Sequence, residues 1–232
     1  MGRGEFDALD ILGARTERDL QRVRTAPESA TVDGDVQRHV FKVPAREERH
    51  DEWPKWADTE LVAGWRALGV DRPWAHQVAA AQGLHRAQTT LLATSTGSGK
   101  SLSYWLPALT AARLPRGSGY GTTLYLAPTK ALAGDQLSAV RTVLEAANIT
   151  DVGVTTVDGD TEFEQRRWAE AHAQVILTNP DMLHHSLLPN HSRWRRFFKH
   201  LRYIVVDEAH AYRGVFGAHV SAVLRRLTRI AH

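Results

Sequence analysis

From residue 89 onward, five apolar runs of four to six residues alternate with segments long enough to be helices. The runs are Thr90 to Thr94, Thr122 to Ala127, Val152 to Val157, Gln174 to Thr178 and Tyr203 to Val206. Strands this short and this continuously apolar are buried on both faces, and helices between them are the usual cover. The pattern predicts an α/β domain with a mostly parallel sheet between two helical layers. The stretches Leu102 to Ala112, Lys130 to Ala147 and Glu162 to Ala171 supply helices. A parallel sheet of this kind binds its ligands at the carboxyl ends of the strands, so the residues after each run carry the functional argument.

After the first run comes Thr96-Gly97-Ser98-Gly99-Lys100-Ser101. Glycines let backbone N–H groups approach a phosphate chain, and the helix that follows adds the partial positive charge of its N-terminus. In that reading Thr96, Gly97, Ser98 and Gly99 cradle a nucleotide, Lys100 reaches its β- and γ-phosphates, and the Ser101 hydroxyl binds magnesium. The generic phosphate-loop pattern begins with a glycine where this chain has Thr94. The competing reading is a plain serine-glycine turn ahead of a helix. The last run ends in two acids, Asp207 and Glu208. Asp207 is the expected magnesium ligand and Glu208 the group that orients and deprotonates an attacking water. Acids after a strand also serve as helix caps, but beside a lysine loop the metal reading is the stronger.

Composition sets bounds on the rest. With 232 residues, 43% hydrophobic and 24% charged, the chain has material for one sizeable core and an extension. No apolar run approaches eighteen residues, and the first twenty mix acids and bases, so neither a membrane partner nor a signal peptide is expected, and a cytoplasmic protein is. Cysteine is absent, which excludes disulfides and thiolate metal ligands in this segment. Residues 1–88 hold 13 Lys/Arg against 15 Asp/Glu, and residues 89–232 hold 16 against 11, so the basic excess lies in the α/β part. That bias suits a polyanion partner.

Residues 1–57 read as a mainly helical N-terminal extension: a helix near Asp7 to Arg24, a polar stretch from Thr25 to Gly34, an alternating run from Gln37 to Val43 and a charged connector from Pro44 to Trp56. The domain proper, residues 58–232, opens with a helix capped by Asp58, apolar at Leu61, Val62, Trp65 and Leu68 and ended by Gly69. In RWRRFFKHLR, bases interleave with aromatics as in a single-strand platform. The spacing of Trp194, Phe197, Phe198 and Leu201 favours an amphipathic helix packed on the sheet. His184, His185 and His191 lack companion ligands at metal spacing and read as surface or capping residues.

TSTGSGKS and DEAH, with APTKALAGDQ (Ala127 to Gln136) and TNPDML (Thr178 to Leu183) between them, resemble the first RecA-like domain of superfamily-2 DEAH-box helicases. Many of those enzymes also lack the first glycine. DEAHAYRGVFGAHVSAVLRRL and VDGDTEFEQRR are similar to the bacterial helicases of the mitomycin repair factor and SftH type, which have eukaryotic relatives among RecQ-like proteins. The resemblance covers about Asp71 to Ile230. It implies ATP and magnesium as cofactors. It implies that Gln77 reads adenine, with Trp74 either stacked on the base or in the core, and that His210 couples the nucleotide site to the nucleic-acid motifs. It implies too that Thr129, Lys130, Thr178 and Asn179 hold the backbone of single-stranded or forked DNA, with RNA left open.

The implied function is that of an ATP-dependent DNA helicase or translocase serving DNA repair or maintenance. A nucleic-acid-stimulated ATPase that remodels without strand separation and a non-catalytic binding module stand as alternatives. A GTPase is disfavoured because no Asn-Lys-x-Asp run follows the loop. Such helicases add a second RecA-like domain, and often a four-cysteine zinc module, that this sequence does not contain. In them a strand ending in Ser-Ala-Thr follows the helix corresponding to Val215 to Ile230 and inserts beside the phosphate-loop strand. The sequence ends at His232 ahead of that motif, so the resemblance implies a truncated piece of a longer enzyme, inactive by itself.

Overall fold

The computed structural model describes residues 31–32, 35–36, 49–93 and 99–231. Of the extension before residue 49 it describes an antiparallel pair, β1 (Thr31–Val32) and β2 (Asp35–Val36), with Thr31 opposite Val36. The sequence reading had Thr31 and Val32 in a polar stretch; backbone pairing with Asp35 and Val36 makes them a short strand. The helix expected near Asp7 to Arg24 and the run Gln37 to Val43 lie outside the described residues.

The main body is built on a four-stranded sheet of β3 (Thr122–Leu126), β4 (Val154–Thr156), β5 (Val175–Thr178) and β6 (Leu201–Val206), in the order β4-β5-β3-β6. Every pairing in it is parallel. Side chains of a strand alternate between faces, and the two halves of the core separate accordingly. Tyr125, Ala127, Val175 and Leu177 face one cluster. Leu124, Leu126 and Ile176 face the other. In β6 the alternation slips at Arg202, because Thr122 pairs with Leu201 but Thr123 pairs with Tyr203. The extra residue sends Leu201 and Tyr203 to opposite faces, as a β-bulge does.

Helices α1 (Thr59–Ala67), α2 (Ala75–His85), α3 (Lys100–Arg113) and α4 (Lys130–Ala146) contribute Leu61, Ala81, Leu106 and Val140 to the first face. The second is covered by α5 (Phe163–His172), by a π-turn at Leu183–Leu187 that follows the short α6 (Pro180–Met182), by α7 (Arg195–Lys199) and by α8 (Gly214–Ala231). Asp58 caps α1 by accepting from the N–H groups of Glu60 and Leu61 at 3.0 Å, and Gly69 follows with φ 88°. Helix α3 runs through Pro107, although an internal proline costs a helical hydrogen bond. Ten of its fourteen residues are buried, and that packing outweighs the propensity.

RWRRFFKHLR forms a shorter helix than its spacing predicts. Helix α7 stops at Lys199, and Leu201 opens β6. Trp194, Phe197 and Phe198 are nonetheless buried, so no aromatic platform is offered to a strand there.

One expected strand is missing. Residues 89–93 form no regular structure, Leu91 is 85% exposed, and Thr94 lies outside the described residues. An apolar run becomes a strand only by pairing, and among the described residues this one has no neighbour. Strand β6 is the edge of the sheet, and a cavity of about 640 Å³ separates it from residues 89–93. Among the described residues no helix is long and apolar enough to cross a membrane.

Candidate functional site

The described motif residues gather at the carboxyl edge of the sheet. On the phosphate-loop side, Thr96, Gly97 and Ser98 lie outside the described residues, and the described part begins at Gly99. Gly99 has φ 65°, and a Cβ there would stand 2.5 Å from Gln77 Nε2, so this position needs glycine on two counts. Gln77 is buried in the first turn of α2. Its Oε1 accepts from the Trp74 N–H and its Nε2 donates to the Gly99 carbonyl, both at 2.8 Å. The residue expected to read adenine therefore also ties α2 to the start of α3. Trp74 stacks on His50, with ring centroids 4.4 Å apart.

Across the cavity, β6 delivers Asp207. Its Oδ1 accepts from the Glu208 N–H at 2.9 Å, and its Oδ2 accepts from the Tyr125 hydroxyl. Glu208 has φ 47°, in the left-handed region rare for a side-chain-bearing residue. Such strain concentrates at functional sites. Its Oε2 pairs with His210 Nδ1 at 3.1 Å, from a 3-10 turn at Ala209–Ala211. Lys100, Asp207, Glu208 and His210 all line the 640 Å³ cavity. The three catalytic candidates, Lys100, Asp207 and Glu208, thus open onto the same cavity as the coupling candidate His210.

Three tyrosines surround these acids. Burial, then the charge of Asp207, pushes Tyr104 far above the usual phenol range. Burial and the neighbouring Tyr104 do the same to Tyr125. Burial and Asp207 push Tyr212 up to about 12. Tyr104 also donates to Gln136 Oε1 at 3.3 Å, and Trp105 Nε1 donates to the same oxygen at 3.0 Å. Sequence reasoning missed Tyr104, Tyr125 and Gln136 as parts of the site. A hydroxyl-bearing ring in a continuously buried strand was the available signal, because a buried tyrosine needs a hydrogen-bond partner.

The four residues expected to hold a nucleic-acid backbone also come together. Thr129, Lys130, Thr178 and Asn179 line one notch with Thr156 and Asp158. Their polar groups are in local use. Thr129 caps α4 by accepting from the Leu132 N–H at 3.3 Å, and Asn179 caps α6 by accepting from the Met182 N–H at 2.8 Å. Thr178 is buried and donates to the Val157 carbonyl at 2.6 Å. Lys130 is bonded to Asp160, with Asp158 4.0 Å away. Those two acids were absent from the sequence-based site.

Comparison with known proteins shows the family. Residues 74–232 match the DEAD/DEAH box helicase family. The chain is 41% identical over 197 residues to the ATP-dependent helicase HRQ1 of Saccharomyces cerevisiae, covering 84% of this chain and 18% of that protein. It is 39% identical over 189 residues to the uncharacterized ATP-dependent helicase YprA of Bacillus subtilis, covering 82% and 25%. Among solved structures, that of the DUF1998 helicase MrfA bound to DNA and AMPPNP is 40% identical with a TM-score of 0.75, over 80% of this chain and 26% of that one. The chain therefore spans about a quarter or less of the length of the curated relatives it matches.

Proposed function

Because the chain belongs to the DEAD/DEAH box helicase family, we propose that it is the ATP-binding lobe of a DNA helicase or translocase that moves along one strand by hydrolysing ATP. The observation that carries this reading is the single cavity onto which Lys100, Asp207, Glu208 and His210 open together. DNA is favoured over RNA because the MrfA structure, 40% identical, is bound to DNA. A role in DNA repair or maintenance rests on the resemblance of the segments DEAHAYRGVFGAHVSAVLRRL and VDGDTEFEQRR.

The residues fit a magnesium ion. Ser101 offers a hydroxyl and Asp207 a carboxylate, hard oxygen donors of the kind magnesium prefers. Magnesium held there would neutralise charge on the nucleotide phosphates. Lys100 adds its ammonium to the same task. Glu208, whose Oε2 pairs with His210, would accept the proton of an attacking water. Gln77 can read adenine by exchanging one of its two backbone bonds for the base edge. Thr129, Lys130, Thr178 and Asn179 line the notch in which the strand's backbone would lie, and contacts to that backbone carry no sequence information. A second RecA-like lobe closing over the nucleotide would convert hydrolysis into movement.

The test is ATP hydrolysis by the full-length protein with and without single-stranded DNA. Lys100→Ala is expected to abolish most ATP affinity. Glu208→Gln should keep binding and lose turnover by about a hundredfold or more. Wild-type turnover in both variants would overturn the site. Strand displacement on a forked duplex then separates unwinding from translocation alone.

A further inference from the structure

The carboxylate on the metal side has a partner that no motif supplies. Tyr125 lies 82 residues before Asp207, is fully buried in β3, and donates its hydroxyl to Asp207 Oδ2. The other oxygen accepts from the Glu208 N–H. A carboxylate bonded through both oxygens has lost its rotation, so its remaining lone pairs point in fixed directions. The tyrosine ring is fixed as well. Trp105 stacks on it with centroids 5.5 Å apart and planes 22° apart, and Tyr104 lies at 6.0 Å. Trp105 is held in turn by Gln136. Tyr104 and Trp105 lie on the opening turns of α3, just after Ser101. An aromatic pair therefore joins the start of α3, which carries Ser101, to the end of β6, which carries Asp207.

We propose that Tyr125 is a positioning residue for ATP hydrolysis, its hydroxyl holding the Asp207 carboxylate in the orientation that receives the divalent cation of the nucleotide. This rests on the nucleotide reading above. Tyr125 has no direct part in the chemistry, since it lies beneath Asp207 in the core. Outer partners that orient a metal-binding side chain typically change metal affinity by about 10–100-fold. Tyr125→Phe removes one oxygen and preserves the ring against Trp105 and Tyr104, so the core keeps its volume.

The experiment measures binding of a fluorescent ATP analogue to the full-length protein across a magnesium titration and in EDTA, with a thermal melt of each variant. In Tyr125→Phe, the magnesium concentration giving half-maximal binding should rise about tenfold. Affinity in EDTA should stay at the wild-type value. Asp207→Asn should lose the magnesium dependence altogether. If Asp207→Asn loses it and Tyr125→Phe behaves as wild type, the positioning role is refuted and the nucleotide site stands. If Asp207→Asn keeps its magnesium dependence, the metal reading itself fails and the proposal falls with it. If Tyr125→Phe weakens binding equally with and without magnesium while its melting temperature drops, the residue is only structural, and the proposal is overturned.

Discussion

Lys130 has two calls on its charge. In the structure it is bonded to Asp160, which raises its pKa chiefly through that hydrogen bond, and Asp160 is 86% exposed. An ion pair this exposed is screened by water and weak, so a phosphate arriving at the notch can displace it. Asp160→Asn should therefore raise the affinity for single-stranded DNA about two- to fivefold at low salt, with the gain fading as salt screens both charges. Lys130→Ala should weaken binding alike for unrelated sequences and lower the salt slope by about one. Fluorescence anisotropy across a salt series reads both effects. A sequence-selective loss, or indifference to Asp160→Asn, would remove Lys130 from the strand site.

At the scale of elements, α1 is tied to α3 by one arginine. Arg113 Nη1 meets Asp58 Oδ1 at 2.6 Å, Nη2 meets Glu60 Oε2 at 2.6 Å, and Nε lies 3.4 Å from Asp151 Oδ1. Asp58 also caps α1, so Asp58→Ala should cost about 2 kcal/mol, roughly half from the cap and half from the partly buried pair. Asp58→Asn keeps the cap and should cost about half as much. Urea unfolding with an unchanged m-value measures the difference, and equal losses would deny the cap any share. Between the π-turn and α8, His184 packs against His185 and His219 with ring centroids at 4.5 and 5.0 Å, and its Nδ1 is buried without a partner among the described residues. Burial first, then His185, His219 and Arg226, lowers its pKa, opposed only by Asp181. A histidine whose pKa falls on folding contributes its stability above the unfolded value of about 6.5 and loses it as pH falls through the folded value. The melting temperature should drop below about pH 6.5, and less steeply in His184→Phe; identical slopes would clear His184 of the effect.

For the molecule as a whole, the open flank of the sheet is the dominant feature. Among the described residues β3 has neighbours on both sides, whereas β6 is paired only to β3, and the cavity lies on its other side. Unpaired edge backbone exchanges with water and offers a template for pairing. In the 232-residue chain, amide hydrogen exchange should be slowest at residues 122–126, faster at 201–206 and fastest at 89–93. Equal protection of all three segments would mean that the gap is closed in solution by a strand pairing there.

Much of the site follows from local chemistry alone. Runs of four to six apolar residues read as strands, Asp58 and Gly69 bracket a helix, and a lysine loop paired with Asp207 and Glu208 calls for a nucleotide, because each signal lies within a few consecutive residues. The sheet order, and every contact that depends on it, required the tertiary structure. The residues at 90–93 have a strand's pattern and no partner, since pairing is a property of neighbours. Tyr125 finds Asp207 across 82 residues only because β3 lies beside β6, and Lys130 finds Asp160 across 30 only because the ends of β3, β4 and β5 converge. Periodicity reports which face of a strand is buried; which strand lies next to it is decided by packing.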